Sequence, residues 1–380
     1  MRKGIVVLLS VFLLVPLVAF AGPIKDDPKG QIVAREGKAY LEQREGNRIL
    51  YLEGTPYELG YQHGKLLKED ITKLVGTLDT FWAKGAQESD QVIDLKEALR
   101  KAYARLAPFI PERYKQEMQG LADGSGVPLE TVQIMNVLPE LFHCSGFALF
   151  GKATKDGTLY HGRILDYMTN AGLQNHAVII VAKPAGYNGF VNVSFAGSLG
   201  SVTGMNARRI SIGEMGGRGV GKWDGCPMTF LVRRGLEEAA SLDDVMKIFT
   251  ETPRTCEYYY VFADGNKRDA RGVAAVPEKI EFIAPGQADP RLPEAVPDAV
   301  LLSAGDRYTL LVERTRAGHG KIGVEEAIRL MDRPVAMQSN LHSVLFVPEK
   351  LLAWVAYAGP DGEPAANRTY YGYDFSELLK

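Results

Sequence analysis

The feature that most constrains this chain is a change of hydrophobic period at Cys144. From Pro56 to Leu141 apolar residues recur at helical spacing. Leu59, Leu66, Leu67, Ile71, Leu74 and Leu78 mark one face of the first stretch. DLKEALRKAYARLAPFI reads as a second helix, stopped before Pro111. PERYKQEMQGLADGSG reads as a third, with Pro111 in its first turn and Gly124 and Gly126 at its end, and PLETVQIMNVLPELF as a short fourth. After Cys144 the runs TLYHGRIL, HAVIIVAKP, GFVNVSFAG and RRISIGEM read as strands punctuated by glycine. CPMTFLVRRGLEEAA and SLDDVMKIFTET are helical, the latter capped by Ser241 with Asp243 and Asp244 in its first turn. Strands resume with EYYYVFADG, RGVAAVP and KIEFIAP. VEEAIRLMD is a helix, and LHSVLFVP and LLAWVAYAG form a hairpin through Pro348, Glu349 and Lys350. Strands in two groups with helices between them predict layered α/β or α+β packing. The irregular alternation disfavours a barrel or a simple doubly wound sheet. Residues 22–50 read as a peripheral leader with one short strand near Arg48 to Leu52.

The chain begins with Arg2 and Lys3, then an apolar run from Ile5 to Ala21 broken by Ser10 and Pro16. Ala19 and Ala21 occupy the −3 and −1 positions of a cut before Gly22. Residues 1–21 are therefore expected to be a signal peptide, and the protein exported to a periplasmic or extracellular space. The run is slightly shorter than the ~20 residues of a spanning helix, with an uncleaved anchor as the alternative reading; no other segment reads as a span, so no stable membrane span is expected once the run is removed. The 44 basic and 46 acidic residues are interspersed, which excludes a nucleic-acid-binding patch.

Chemistry concentrates at the period change. His143-Cys144-Ser145-Gly146 is followed by LYHGRILDY, which carries Arg163 and Asp166. A thiol, a guanidinium and a carboxylate grouped at the start of a strand-rich half suggest a cysteine nucleophile. The other cysteines are Cys226 and Cys256. In an exported protein they can pair and leave Cys144 free; the alternative is three buried thiols. His161, His176, His319 and His342 lack metal-ligand spacing, and no HExxH, P-loop or GxSxG motif is present, so neither metal nor cofactor is expected. His63, between Gly60 and Gly64, marks a tight packing site rather than a catalytic one. The glycines from Gly216 to Gly221 read as a substrate loop.

ELGYQHG at 58–64, HCSGFALFGKATKDGTLYHGRILDY at 143–167, GSLGSVTGMNARRISIG ending at Gly213, GCPMTFLVRRGLEEAASLDD at 225–244 and NLHSVLFVPEKLLAWVAYA at 340–358 carry a resemblance. Together they resemble the acyl-coenzyme A:6-aminopenicillanic acid acyltransferase family, the C45-type autoproteolytic N-terminal-nucleophile hydrolases. The resemblance implies an α+β fold, a four-layer αββα sandwich of two stacked antiparallel sheets. It implies self-cleavage at the His143–Cys144 bond. An α segment (22–143) and a β segment (144–380) would then stay associated as one domain. It makes Asn206 the pocket-lining asparagine. Relatives also carry a Thr-Asn-His-like run in the second half; here the corresponding stretch, Ser303 to Tyr308, has no asparagine and offers Asp306 instead. Asn340 is the other candidate oxyanion or substrate contact.

The implied chemistry is self-consistent. A thiol of pKa ~8.5 is mostly protonated at neutral pH. A new α-amine on Cys144, with pKa near ~7.8, can take its proton. Arg163 would favour the thiolate or hold a substrate carboxylate. Asp166 would orient the α-ammonium. The expected function is thus a self-processing amidohydrolase or acyltransferase that forms an S-acyl-enzyme at Cys144 on a small-molecule amide or thioester. Phe147, Phe150, Tyr167 and Trp223 are candidates for an apolar acyl pocket. Two other readings stand beside this one: an uncut, non-catalytic secreted binding protein, and an uncut thiol hydrolase using His143 or His161 as base.

Overall fold

The computed structural model describes residues 22–88, 95–137, 144–167, 169–217 and 221–380. The expected signal peptide, His143 and the expected scissile bond lie outside the described residues. Among the described residues no helix is long and apolar enough to cross a membrane.

Two sheets stack face to face. A seven-stranded sheet runs Ile24–Asp26, Tyr370–Asp374, Leu352–Tyr357, Asn340–Val347, Gly157–Asp166, Ser145–Gly151 and Ala299–Leu302 in spatial order. A ten-stranded sheet runs Ile280–Ile283, Asp269–Ala275, Tyr258–Asp264, Ile210–Gly216, Thr203–Asn206, Phe190–Phe195, Ala177–Pro184, Arg48–Gly54, Ala39–Gln43 and Gln31–Glu36. Strand alternation sorts the side chains into layers. Ile49, Ile179, Val181 and Val193 meet Val344, Phe346 and Val355 between the sheets. On the outer face of the larger sheet, Leu50, Leu52, Ile212 and Phe262 pack with Leu59, Met118, Phe230 and Phe249 of the covering helices. On the outer face of the smaller sheet, Ile164 and Leu345 pack with Leu311, Val312, Ala327 and Ile328. The architecture is the αββα sandwich.

Three details differ from the sequence reading. Each sheet contains one parallel pair, Arg48–Gly54 with Ala177–Pro184 and Ile24–Asp26 with Tyr370–Asp374, so both are mixed. The leader is not peripheral. It supplies four strands, and Ile49 and Leu50 are fully buried. Its charged residues alternate with apolar ones, which suits a half-covered strand and hides the strand signal in a short window. A helix over Asp306–Gly318 also went unread, because its buried face is narrow: Tyr308, Leu311, Val312 and Thr315.

The helix Pro56–Leu66 starts at Thr55, whose side chain and Glu58 form a reciprocal capping box. It crosses the helix Glu112–Ser125 at glycines. A Cβ on Gly60 would stand 1.9 Å from the Glu117 carbonyl oxygen, and one on Gly120 2.1 Å from that of Tyr57. His63, expected at a packing site, is buried there, and its Nε2 accepts from the Gly197 amide at 2.9 Å. Gly60→Ala is expected to lower stability by about 3 kcal/mol or more, since backbone must move to admit the methyl. Gly76→Ala, in the helix Lys68–Glu88 with nothing within 4 Å of the new Cβ, is the control and should raise stability by up to about 1 kcal/mol. Urea denaturation of both variants checks this; equal midpoints would contradict the close crossing.

Candidate active site

Cys144 immediately precedes the strand Ser145–Gly151 and is 6% exposed. The antiparallel register with Gly157–Asp166 places Gly146 opposite Arg163. Alternation then puts positions 144, 146 and 163 on one face, the face between the sheets. Two glycines open that space. A Cβ on Gly146 would lie 3.2 Å from Met215 Sδ, and one on Gly213 would lie 3.0 Å from Arg163 Cδ. The Arg163 guanidinium fills the room. It is fully buried, donates to the Ile164 carbonyl, and stands 3.5 Å from the carboxylate of fully buried Glu214.

The sequence reading missed Glu214. A single acid inside the apolar strand ISIGEMG was the available signal, because a buried carboxylate requires a cation or donors.

Asp166 ends the neighbouring strand and is 1% exposed. It does not form a surface pair with Arg163. It accepts from the Met337 amide at 3.0 Å and from Arg307 Nη1 at 2.7 Å. Burial pushes its carboxyl up to about 6, against the pull of the Met337 amide and of Arg307 and Arg163. Arg307 is a second residue the sequence reading passed over. It lies in the first turn of the unread helix, beside Asp306.

The amide candidates lie elsewhere. Asn206 is fully buried at the far end of the Ile210–Gly216 strand from Met215. Its Nδ2 donates to the carbonyls of Leu236 at 2.8 Å and Ala239 at 2.9 Å, and its Oδ1 accepts from the amides of Arg208 and Ile210. Asn340 stands opposite Asp166. Its Nδ2 donates to the Leu165 and His342 carbonyls, and its Oδ1 accepts from Ser343 Oγ and the Ala366 amide. Both amides are saturated locks of local backbone, with no donor to spare for an oxyanion. Asp306 is exposed at the helix start, after Gly305 in a positive-φ conformation of 56°. Cys226 and Cys256 are not bonded to each other; both are free, buried thiols. The Cys256 thiol donates to the Lys222 carbonyl at 3.6 Å, and burial pushes the Cys226 thiol up to about 12.

A cavity of about 560 Å³ opens beside Cys144. Its apolar wall is Met215, Tyr259, Ala274, Ile283, Leu292 and Leu302, and Ser303 to Gly305 close one side. The expected lining residues Phe147, Phe150, Tyr167 and Trp223 are not part of it. Phe147 is spent on packing over Gly162, where a Cβ would come within 2.3 Å of its ring.

His161 and His342 are also fully buried. His161 Nδ1 pairs with Ser211 Oγ at 2.7 Å, and His342 Nε2 with Thr203 Oγ1 at 2.9 Å. Burial, then the Arg163 charge, pushes His161 down to about 3 and His342 well below its ordinary value. His161 is thus a neutral core group, which leaves it unsuited to serve as the base of an uncut thiol hydrolase; the other histidine of that reading, His143, lies outside the described residues. Among the described residues no cluster of His, Cys, Asp and Glu could hold a metal ion.

Residues 152–283 match the model of the acyl-coenzyme A:6-aminopenicillanic acid acyl-transferase family. Among curated relatives, protein dcd1B of Dictyostelium discoideum is 31% identical over 248 residues, covering 59% of this chain and 49% of the relative. Acid ceramidase of Rattus norvegicus is 27% identical over 214 residues, covering 48% and 52%. The chain spans about half the length of the curated relatives it matches. Among solved structures, the Caenorhabditis elegans ortholog of N-acylethanolamine-hydrolyzing acid amidase superposes with a TM-score of 0.43 at 17% identity, over 54% of this chain and 93% of that one.

Proposed function

We propose that this protein is a self-processing N-terminal-nucleophile enzyme that cleaves or transfers an acyl group through an S-acyl-enzyme at Cys144. The observation that carries the reading is the position of Cys144 at an apolar cavity, backed by two buried arginine–carboxylate pairs. Cleavage before Cys144 releases an α-amine beside the thiol. That amine takes the thiol proton, and the thiolate attacks an amide carbonyl to form the acyl-enzyme. The leaving amine takes a proton, and water or a second amine resolves the thioester. Arg163 supplies a fixed positive charge on the Cys144 face, which favours thiolate and developing oxyanion alike. Asp166, held by Arg307 and the Met337 amide, orients the new ammonium. The apolar wall favours an acyl group with a hydrocarbon body. The α segment supplies strands to both sheets, so the two pieces remain hydrogen-bonded partners after the cut.

The test is the mass of the purified protein under denaturing conditions, with amide turnover measured on the same sample. Two pieces are expected, the larger beginning at Cys144. Cys144→Ala is expected to stay uncut and to lose at least about a thousandfold in turnover. An uncut wild-type chain, or a Cys144→Ala protein with wild-type turnover, would reject the proposal. An uncut chain without turnover is the result that a binding protein retaining this fold would give.

A further inference from the structure

The cavity beside Cys144 is not apolar throughout: Glu257 and Arg291 also line it. Arg291 sits in a turn closed by hydrogen bonds between Asp289 and Leu292. The Asp289 carboxylate accepts from the Arg291 backbone amide at 2.9 Å, from its Nε at 2.8 Å and from its Nη2 at 3.0 Å. Glu281 accepts a further bond from Nη2 at 3.2 Å. The fork is therefore held in place at the cavity rim, where the Arg291 side chain is 39% exposed, and Nη1 makes no hydrogen bond among the described residues. Tyr259, on the cavity wall, donates its hydroxyl to Glu257. The Tyr259 phenol and the Arg291 guanidinium line the same cavity.

We infer that Arg291, with Tyr259 and Glu257, selects substrates whose cavity-bound part has an apolar body and a neutral hydrogen-bonding end such as a hydroxyl. The inference deepens the proposed function and rests on it for the word substrate. Its physical basis is the pairing of an apolar wall with a pre-set donor. An aliphatic end would strip water from Arg291 Nη1 and return no bond, and a polar end restores it. A carboxylate end is disfavoured, because the Asp289 and Glu281 carboxylates already bind the Arg291 fork and would repel a third.

The test uses the thiol rather than turnover. N-substituted iodoacetamides alkylate a cysteine whose surroundings accept their tails, and peptide mass spectrometry assigns the label to Cys144. Three reagents of matched length carry a plain alkyl end, a hydroxyl end and a carboxylate end. In the wild-type protein the hydroxyl-ended reagent is expected to label Cys144 about tenfold faster than the alkyl one, the size of one charge-assisted hydrogen bond, with the carboxylate-ended one slower than the hydroxyl. Arg291→Met is expected to remove the hydroxyl preference, and Arg291→Lys to keep part of it. Equal rates for hydroxyl and alkyl ends, a fastest carboxylate reagent, a preference that survives Arg291→Met, or no labelling of Cys144 by any reagent would each overturn the inference. Tail preference without amide turnover would leave the cavity assignment standing and reject the enzyme reading. Turnover without tail preference would do the reverse.

Discussion

Arg163→Met is expected to abolish detectable turnover and to lower stability by about 3–5 kcal/mol. Arg163 and Glu214 show no exposed side-chain surface and stand 3.5 Å apart between the layers of the sandwich. Deleting the cation leaves the Glu214 carboxylate in a low-dielectric interior without its counter-charge, which costs more than the pair contributes. The double variant Arg163→Met/Glu214→Leu is therefore expected to regain most of the lost stability, because both desolvation terms disappear together. It should not regain turnover, because the positive charge on the Cys144 face is still missing. Urea denaturation and amide turnover of both variants make the comparison. Recovered turnover in the double variant would show that the pair serves only the fold. Wild-type stability in the single variant would show that Glu214 is not confined as the geometry requires.

Acid should unfold this protein well before carboxylate protonation alone would. Burial, then the charge of Arg233, holds His63 down at about 3, and burial, then Arg163, does the same to His161. His342 is pushed down by the same causes as His161. In the unfolded chain all three titrate near ~6.5. A depressed folded pKa means that the unfolded state binds protons first as pH falls, so stability present above ~6.5 is lost between there and about 3, at roughly 1.4 kcal/mol per pH unit for each histidine. Asp166 acts with the opposite sign. Its folded pKa of about 6 exceeds the ordinary ~3.9, so it favours the folded state increasingly as pH drops through 6. Buried Glu117, raised by desolvation, acts in the same sense as Asp166. His63 and His161 against Asp166 leave a net uptake of about one proton on unfolding near pH 5, or roughly 1.4 kcal/mol lost per unit, and His342 adds to the loss in the same sense. Glu117 reduces that figure as its own range is reached. Denaturant midpoints at pH 7 and pH 5 check this directly. Unchanged midpoints would mean that the histidines are hydrated or paired in ways this packing does not allow.

Much of the architecture was legible because its signals are local. The apolar stripe from Leu59 to Leu78, the Ser241 cap and the hairpin through Pro348 each depend on residues within a few turns of one another, and each forms where expected. Cys144, Arg163 and Asp166 were legible as a group because a single pair of adjacent strands carries them. Their partners were not. Glu214 and Arg307 come from a strand of the opposite sheet and a helix on the outer layer. The two asparagines misled for the same reason. A free amide and one saturated by four backbone groups look alike until the chain has closed around them. Cys226 and Cys256 are compatible with a disulfide by count, and the fold leaves both as separate buried thiols.

By itself the sequence determined the layered α+β class, the tight packing site at Gly60 and Gly64, and the position of a thiol at the change of period. These follow from periodicity, caps, missing side chains and residue type, which act over a few residues of chain. Only the tertiary structure decided which charge meets which, that the early residues are integral strands, and that the cavity beside Cys144 is walled by Met215, Tyr259 and Leu302 and edged by Arg291. Those outcomes depend on pairing between segments far apart in the chain. Burial then makes each pairing consequential, because a charge or a donor shielded from water must be matched by whatever the fold has placed beside it.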